Sequence, residues 1–364
     1  MRTTAASLAG IALAAMVVCA QGGAGSEAPV GRMQPRFVPA GDYNWRGATT
    51  KALVTSVWYP ASAAAAMTGH FIGPPGSPLF RLGTWMDRGP RAEGAFPLIL
   101  LSHGTGGSSE IMAWLGAGLA SRGYVVAAVN HPGNNALDEP YTAEGFLLWW
   151  ERARDVSTVL DFLLRDERFA PMIDRRRIGV AGFSLGGYTA IVLAGGVSDA
   201  SRLREACRAP NAEGCVEPPE FPHLFERWRE LEATSAEFRE ATRQAGRSYR
   251  DERIRSAFAI APAGGEVFVP ESLRRITIPI QIVAGRDDRM APIRSNAQLL
   301  AGAIPTAHLT LLPDVGHYTF LATCTDAGRR AQRQLCEDSR RIDRDNVHRI
   351  TLDAAADFFS KTLQ

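Results

Sequence analysis

Lysine is almost missing from this 364-residue chain: only Lys51 and Lys361 occur, and arginine carries nearly all the positive charge. The balance is close to neutral, at +2, with arginine scattered among nearly as many acids, as on a solvated surface. No basic block is interleaved with aromatics, so the footprint of a nucleic-acid binder is absent. No apolar run reaches the roughly 20 residues that span a bilayer. Cysteine is sparse, five in all. No CxxC pair occurs and no histidine stands near a cysteine, so a zinc ligand set is lacking. No internal repeat is evident.

What the chain does have begins with an export signal. Arg2 precedes the apolar stretch Leu8 to Val18, and Val18-Cys19-Ala20 offers a cleavage site, so residues 1–20 read as a signal peptide. A lipoprotein attached through Cys19 is the alternative, though bulky Val18 suits that pattern poorly. Residues 21–50 read as a Gly/Pro-rich leader. Export implies a periplasmic or secreted protein, where Cys207, Cys215, Cys324 and Cys336 can oxidise. Four cysteines allow three pairings. The local one, Cys207–Cys215 with Cys324–Cys336, is preferred, each bridge closing a short loop and contributing on the order of 2–4 kcal/mol.

Residues 51–364 read as one catalytic domain with an insertion. Ala52 to Tyr59 is a β-rich run, and residues 61–96 an irregular connection. Apolar strands then alternate with helices. Strands are expected over 96–102, 124–129, 177–182, 256–261, 278–284 and 307–312. Helices are expected over 111–121, 145–165, 185–194, 295–303 and 353–363. Such alternation indicates an α/β fold, with a mostly parallel sheet covered on both faces. The stretch of about 199–255 breaks the rhythm and carries an amphipathic stripe at Leu224, Trp228, Leu231 and Phe238. It is either a helical element packed sideways onto the body or a cap over the site.

Chemistry concentrates at Gly182-Phe183-Ser184-Leu185-Gly186-Gly187, between an apolar strand and a helix. This is the G-x-S-x-G turn in its required context, and it projects Ser184 Oγ from the end of the strand. A hydroxyl needs a base to attack at neutral pH, and the base needs an orienting acid, in the chain order Ser, acid, His. Of seven histidines, His317 follows the last strand and is the candidate base. His70, His223, His308 and His348 have no catalytic context. Gly285-Arg286-Asp287-Asp288-Arg289-Met290-Ala291-Pro292 follows an earlier strand, and its G-x-x-D-x-x-x-P spacing selects Asp288 over Asp287. Asp314 lies too near His317 in the chain.

Oxyanion donors are expected from the N–H of Leu185 and of Thr105, the latter in His103-Gly104-Thr105-Gly106-Gly107. That loop lacks the Lys-Ser/Thr ending of a phosphate-binding P-loop. His103, His131 and Tyr318 are candidate substrate-binding residues. Trp85, Trp149, Trp150, Trp228 and Phe320 are either an acyl pocket or core.

These motifs together resemble the α/β hydrolases, most closely the dienelactone-hydrolase-like or platelet-activating-factor-acetylhydrolase-like branch. The marks run from about Val54 to the C-terminus. They are Val57-Trp58-Tyr59-Pro60, Leu101-Ser102-His103-Gly104, Val129 to Asn134, Gly182 to Tyr188, Gly316 to Phe320, and Arg344 to His348. The resemblance implies an α/β-hydrolase fold and a serine esterase acting on a small-molecule ester, of short to medium acyl chain, without metal or organic cofactor. It also supports the local cysteine pairing. Two departures stand out. Dienelactone hydrolases use a cysteine nucleophile where this chain has Ser184. Platelet-activating-factor acetylhydrolases carry the acid after the strand that matches Ser256–Ala261, where this chain has none. An amidase or peptidase would use the same three residues, and a binding protein on this scaffold would normally have lost one of them.

Overall fold

Leu98 to Leu101 are all apolar because both faces of their strand are buried. Leu98 and Leu100 enter one core, Ile99 and Leu101 the other. Each such side chain contributes about 1.5–3 kcal/mol on burial. The structure, a computed structural model, describes residues 28–62, 67–137, 140–199, 201–202, 205 and 217–364. The expected signal peptide, Cys19 and the Cys207–Cys215 pair lie outside the described residues.

The strands are β1 (Val30–Met33), β2 (Arg36–Phe37), β3 (Leu53–Pro60), β4 (Thr68–Ile72), β5 (Phe80–Asp87) and β6 (Phe96–Ser102). After them come β7 (Val125–Val129), β8 (Ile173–Phe183), β9 (Ser256–Ile260), β10 (Ile280–Gly285), β11 (Ala307–Leu312) and β12 (Thr323–Cys324). The sheet runs β11-β10-β9-β8-β6-β7-β3-β1-β5-β12, and its first six strands are parallel. Helices α1 (Ala113–Ala120), α2 (Ala143–Leu147), α3 (Glu151–Leu163) and α4 (Leu185–Ala194) belong to the crossovers that link its central strands. One core joins the sheet to α3 and α4, the other to α1 and the C-terminal helix Arg344–Thr362. Among the described residues no helix is long and apolar enough to cross a membrane.

Several expectations need correction. Val30 to Phe37, read within a leader, supplies β1 and β2, which pair with β3. Residues 61–96 are not irregular throughout, because β4 and β5 form an antiparallel pair with a shift in register at His70/Phe71. The helix expected over 145–165 is interrupted between α2 and α3, where the Trp149 indole N–H turns back to the Phe146 carbonyl. The closing helix starts at Arg344 rather than Asp353, and Asp343 caps it by accepting from the Asp345 N–H. The amphipathic stripe divides between two helices, Leu224–Thr234 and Ala236–Arg243. Their Leu224, Leu231 and Phe238 pack on Phe146, Leu147, Leu148 and Trp150 rather than on the sheet.

Candidate active site

Ser184 occupies the turn between β8 and α4 at φ 55°, ψ −119°. Such backbone costs on the order of 1–3 kcal/mol for a non-glycine residue and persists only when its surroundings enforce it. Here they do. The Ser184 N–H donates to the Ile260 carbonyl at 2.9 Å, and its carbonyl accepts from Tyr188 at 3.1 Å and Ala263 at 3.2 Å. A side chain on Gly182 would collide with the Gly186 carbonyl, and one on Gly186 with the Ser102 carbonyl. The glycines of the motif are thus needed because strand, turn and helix approach too closely for a Cβ.

The three side chains expected to cooperate meet at the C-terminal edge of the parallel strands. His317 Nε2 lies 3.0 Å from Ser184 Oγ, and its Nδ1 lies 2.7 Å from Asp288 Oδ2. The other Asp288 oxygen accepts backbone N–H groups of Met290 at 3.0 Å and Ala291 at 2.7 Å. Its side chain is fully buried, whereas the neighbouring Asp287 is exposed. Asp314 faces Arg341 at 4.0 Å instead. Ser184 and His317 retain 8% and 7% exposure, so they reach a nearly covered mouth. Phe183 packs beside the imidazole, ring centroids 4.8 Å apart, and Tyr318 lies at 5.5 Å. Burial, then the charges of Glu220 and Asp288, push the Tyr318 phenol up to about 12, so it is a hydrogen-bond donor at neutral pH.

The loop after β6 lies against the serine: a Cβ on Gly104 would stand 3.2 Å from Ser184 Cβ. Asn134 Oδ1 accepts the Gly106 N–H at 2.6 Å, and the Tyr141 hydroxyl donates to the Gly106 carbonyl at 2.8 Å. Gly107 N–H closes a turn on the Gly104 carbonyl at 3.2 Å. Among the described residues the Thr105 N–H has no acceptor. The Leu185 N–H stands ahead of the hydrogen-bond ladder of α4, at the positive end of the helix.

His103 and His131, expected to touch substrate, do not reach the mouth. His103 accepts the His131 backbone N–H on Nε2 at 3.2 Å, which leaves Nδ1 protonated toward the Gly104 carbonyl at 2.7 Å. His131 spans Ser102 Oγ at 2.9 Å and Asp155 Oδ2 at 2.8 Å. Asp155 also accepts from Arg46 at 2.7 Å and Tyr43 at 2.5 Å, while Arg152 donates to the His103 carbonyl. Burial, with Arg152 beside them, holds both imidazoles well below their usual value, so they are neutral. They shape the loop from inside. Trp85 and Phe320 are core. Trp149, Trp150 and Trp228 line a small apolar cavity between the insertion and the body.

The His317–Phe320 turn is held by partners that periodicity does not reveal. Asp338 accepts the Thr319 hydroxyl at 2.7 Å and the Arg344 Nε–H at 2.8 Å, and His348 Nε2 contacts the Thr319 carbonyl at 3.1 Å. The Cys324–Cys336 disulfide of the expected pairing is present.

The model of the Alpha/beta hydrolase family matches residues 98–327, well over half of the chain. Cutinase est2 of Thermobifida alba is 33% identical over 145 residues, 39% of this chain and 40% of that protein. The platelet-activating factor acetylhydrolase of Cavia porcellus is 27% identical over 135 residues, 26% of this chain and 31% of that protein. The matched segment thus spans well under half the length of these curated relatives. A ferulic acid esterase from Streptomyces cinnamoneus superposes with a TM-score of 0.61 at 20% identity, covering 93% of this chain and 91% of that one, a likeness of fold.

Proposed function

The chain belongs to the alpha/beta hydrolase family, and from that premise we propose that it is an exported serine hydrolase of carboxylic esters with short to medium acyl chains. The observation that carries the reading is the placement of His317 between Ser184 Oγ at 3.0 Å and Asp288 Oδ2 at 2.7 Å. In the proposed reaction His317 takes the Ser184 proton as Oγ attacks the ester carbonyl. Asp288 holds the imidazole with Nε2 toward the serine and stabilises the imidazolium. The N–H groups of Leu185 and Thr105 stabilise the oxyanion, helped by the positive end of α4. Alcohol leaves with the proton from His317, and water repeats the sequence on the acyl-enzyme.

The names of the relatives, cutinase and platelet-activating factor acetylhydrolase, support an ester substrate. Export rests on the Met1–Ala20 signal pattern and on the Cys324–Cys336 bridge, which suits an oxidising compartment. The insertion is proposed as a cap, since its helices pack on the segment beside the oxyanion loop. Ser184→Ala is expected to lower p-nitrophenyl acetate hydrolysis by about 10⁴-fold or more, and a fluorophosphonate probe to label wild type but not the variant. Wild-type turnover in the variant would end this reading.

A further inference from the structure

Glu220 is a carboxylate to which the two-step reaction gives no task. It enters the insertion beside the site, and a Cβ built on Gly106 would meet its Cγ at 2.8 Å and its Cβ at 3.1 Å. Gly106 directly follows Thr105, so Glu220 lies on the loop proposed to bind the oxyanion. Its charge is also felt by His317 and by the Tyr318 phenol beside it. The backbone around it is anchored by packing of the next residue. The Phe221 ring, next in the chain, packs on Phe146 at 5.1 Å, and Tyr141 packs on the same Phe146 at 5.2 Å.

Asp288, the other carboxylate here, is fully engaged by His317, Met290 and Ala291. Among the described residues the Glu220 carboxylate accepts its own backbone N–H but has no hydrogen bond or ion pair to another side chain. Burial pushes its carboxyl up, outweighing its own backbone N–H and the charge of His317, which pull it down. A charge so placed, partly shielded from water, acts strongly on whatever enters.

We propose that Glu220 sets the charge preference of the site, disfavouring esters that carry a carboxylate near the scissile bond and favouring those that carry an ammonium group there. The inference rests on the esterase reading above. Its test uses the full-length protein at pH 8 and matched esters bearing an ammonium, a neutral group or a carboxylate. One set carries the group on the acyl chain, a second on the alcohol. Ratios of kcat/KM to the neutral ester cancel any general loss of activity. Glu220→Gln is expected to raise the anionic-to-neutral ratio, and lower the cationic-to-neutral ratio, by about tenfold in at least one set. Glu220→Asp, which keeps the charge, restores most of the wild-type preference, and added salt narrows it in wild type. Ratios unchanged within about twofold in both sets would overturn the inference. A wild-type protein without Ser184-dependent hydrolysis of the neutral esters would instead overturn the esterase reading, and this inference with it.

Discussion

His131 Nδ1 lies 2.8 Å from Asp155 Oδ2, and neither side chain is exposed to solvent. With Ser102 on the far ring nitrogen, the three reproduce the order of Ser184, His317 and Asp288 in a place no substrate can enter. Their task is to carry charge inside the protein. Asp155 neutralises Arg46, and it also offsets the burial that lowers the Arg152 guanidinium to about 9. Asp155→Asn leaves two buried cations poorly compensated, so a loss of about 3–5 kcal/mol is expected. Urea unfolding measures it, and a loss below about 1 kcal/mol would refute the assignment.

His348 makes stability depend on pH. Burial first, then Arg344, pushes its imidazole down to about 4, whereas the unfolded chain protonates this ring near 6.5. Below that value the unfolded state binds a proton the folded state does not. Stability therefore falls as pH drops from about 6.5 to about 4, by roughly 3 kcal/mol in all. His348→Gln removes this contribution. Between pH 7.5 and 4.5 the wild type should lose about 2 kcal/mol more than the variant, and equal losses would count against the buried neutral ring. His103 and His131 act with the same sign.

How much of this was legible in the sequence follows the range of the interactions. The turn around Ser184 is local, and its glycines are dictated by the close approach of Gly182, Gly186 and Ser102, so a short motif suffices. The parallel sheet was legible because strands buried on both faces are apolar throughout. Asp288 could be preferred to Asp287 by spacing, and the structure gives the physical difference, one buried and one exposed. The pair β4–β5 was hidden because half-exposed strands interrupted by Gly83 and flanked by Pro74, Pro75 and Pro78 resemble a loop. Arg46, Arg152 and Asp155 were missed because charge is read as surface, and Arg46, the arginine that pairs with Asp155, lies 109 residues away in the chain. The one available signal was that Arg152 and Asp155 flank apolar Ala153 and Val156 on the buried side of α3.

Asp288→Asn tests the proposed acid. The Met290 and Ala291 N–H groups bind the oxygen that does not face His317, so the local fold has little to lose, but an amide in place of the carboxylate cannot stabilise the imidazolium and can hold His317 in the wrong tautomer. A fall in kcat of about 10²–10⁴-fold is expected, with KM changed far less. The same change at Asp287, whose side chain is exposed, should leave kcat within about twofold. Equal effects at the two positions would remove Asp288 from its proposed role.

The disulfide reaches the proposed base through the contact of Asp338 with Thr319. Cys324 is joined to Cys336, and Asp338, two residues further on, accepts the Thr319 hydroxyl at 2.7 Å. Thr319 belongs to the same short turn as His317. Opening the bridge frees the segment that bears Asp338, so the imidazole loses part of its support while the sheet does not. A Cys324→Ser/Cys336→Ser protein should be less stable by about 2–4 kcal/mol, seen as a lower Tm than wild type without reductant. Its kcat on p-nitrophenyl acetate at 25 °C should fall several-fold with little change in KM, because a wandering base weakens proton transfer more than binding. An unchanged Tm and unchanged kcat would show that Asp338 and Arg344 hold the turn without the bridge.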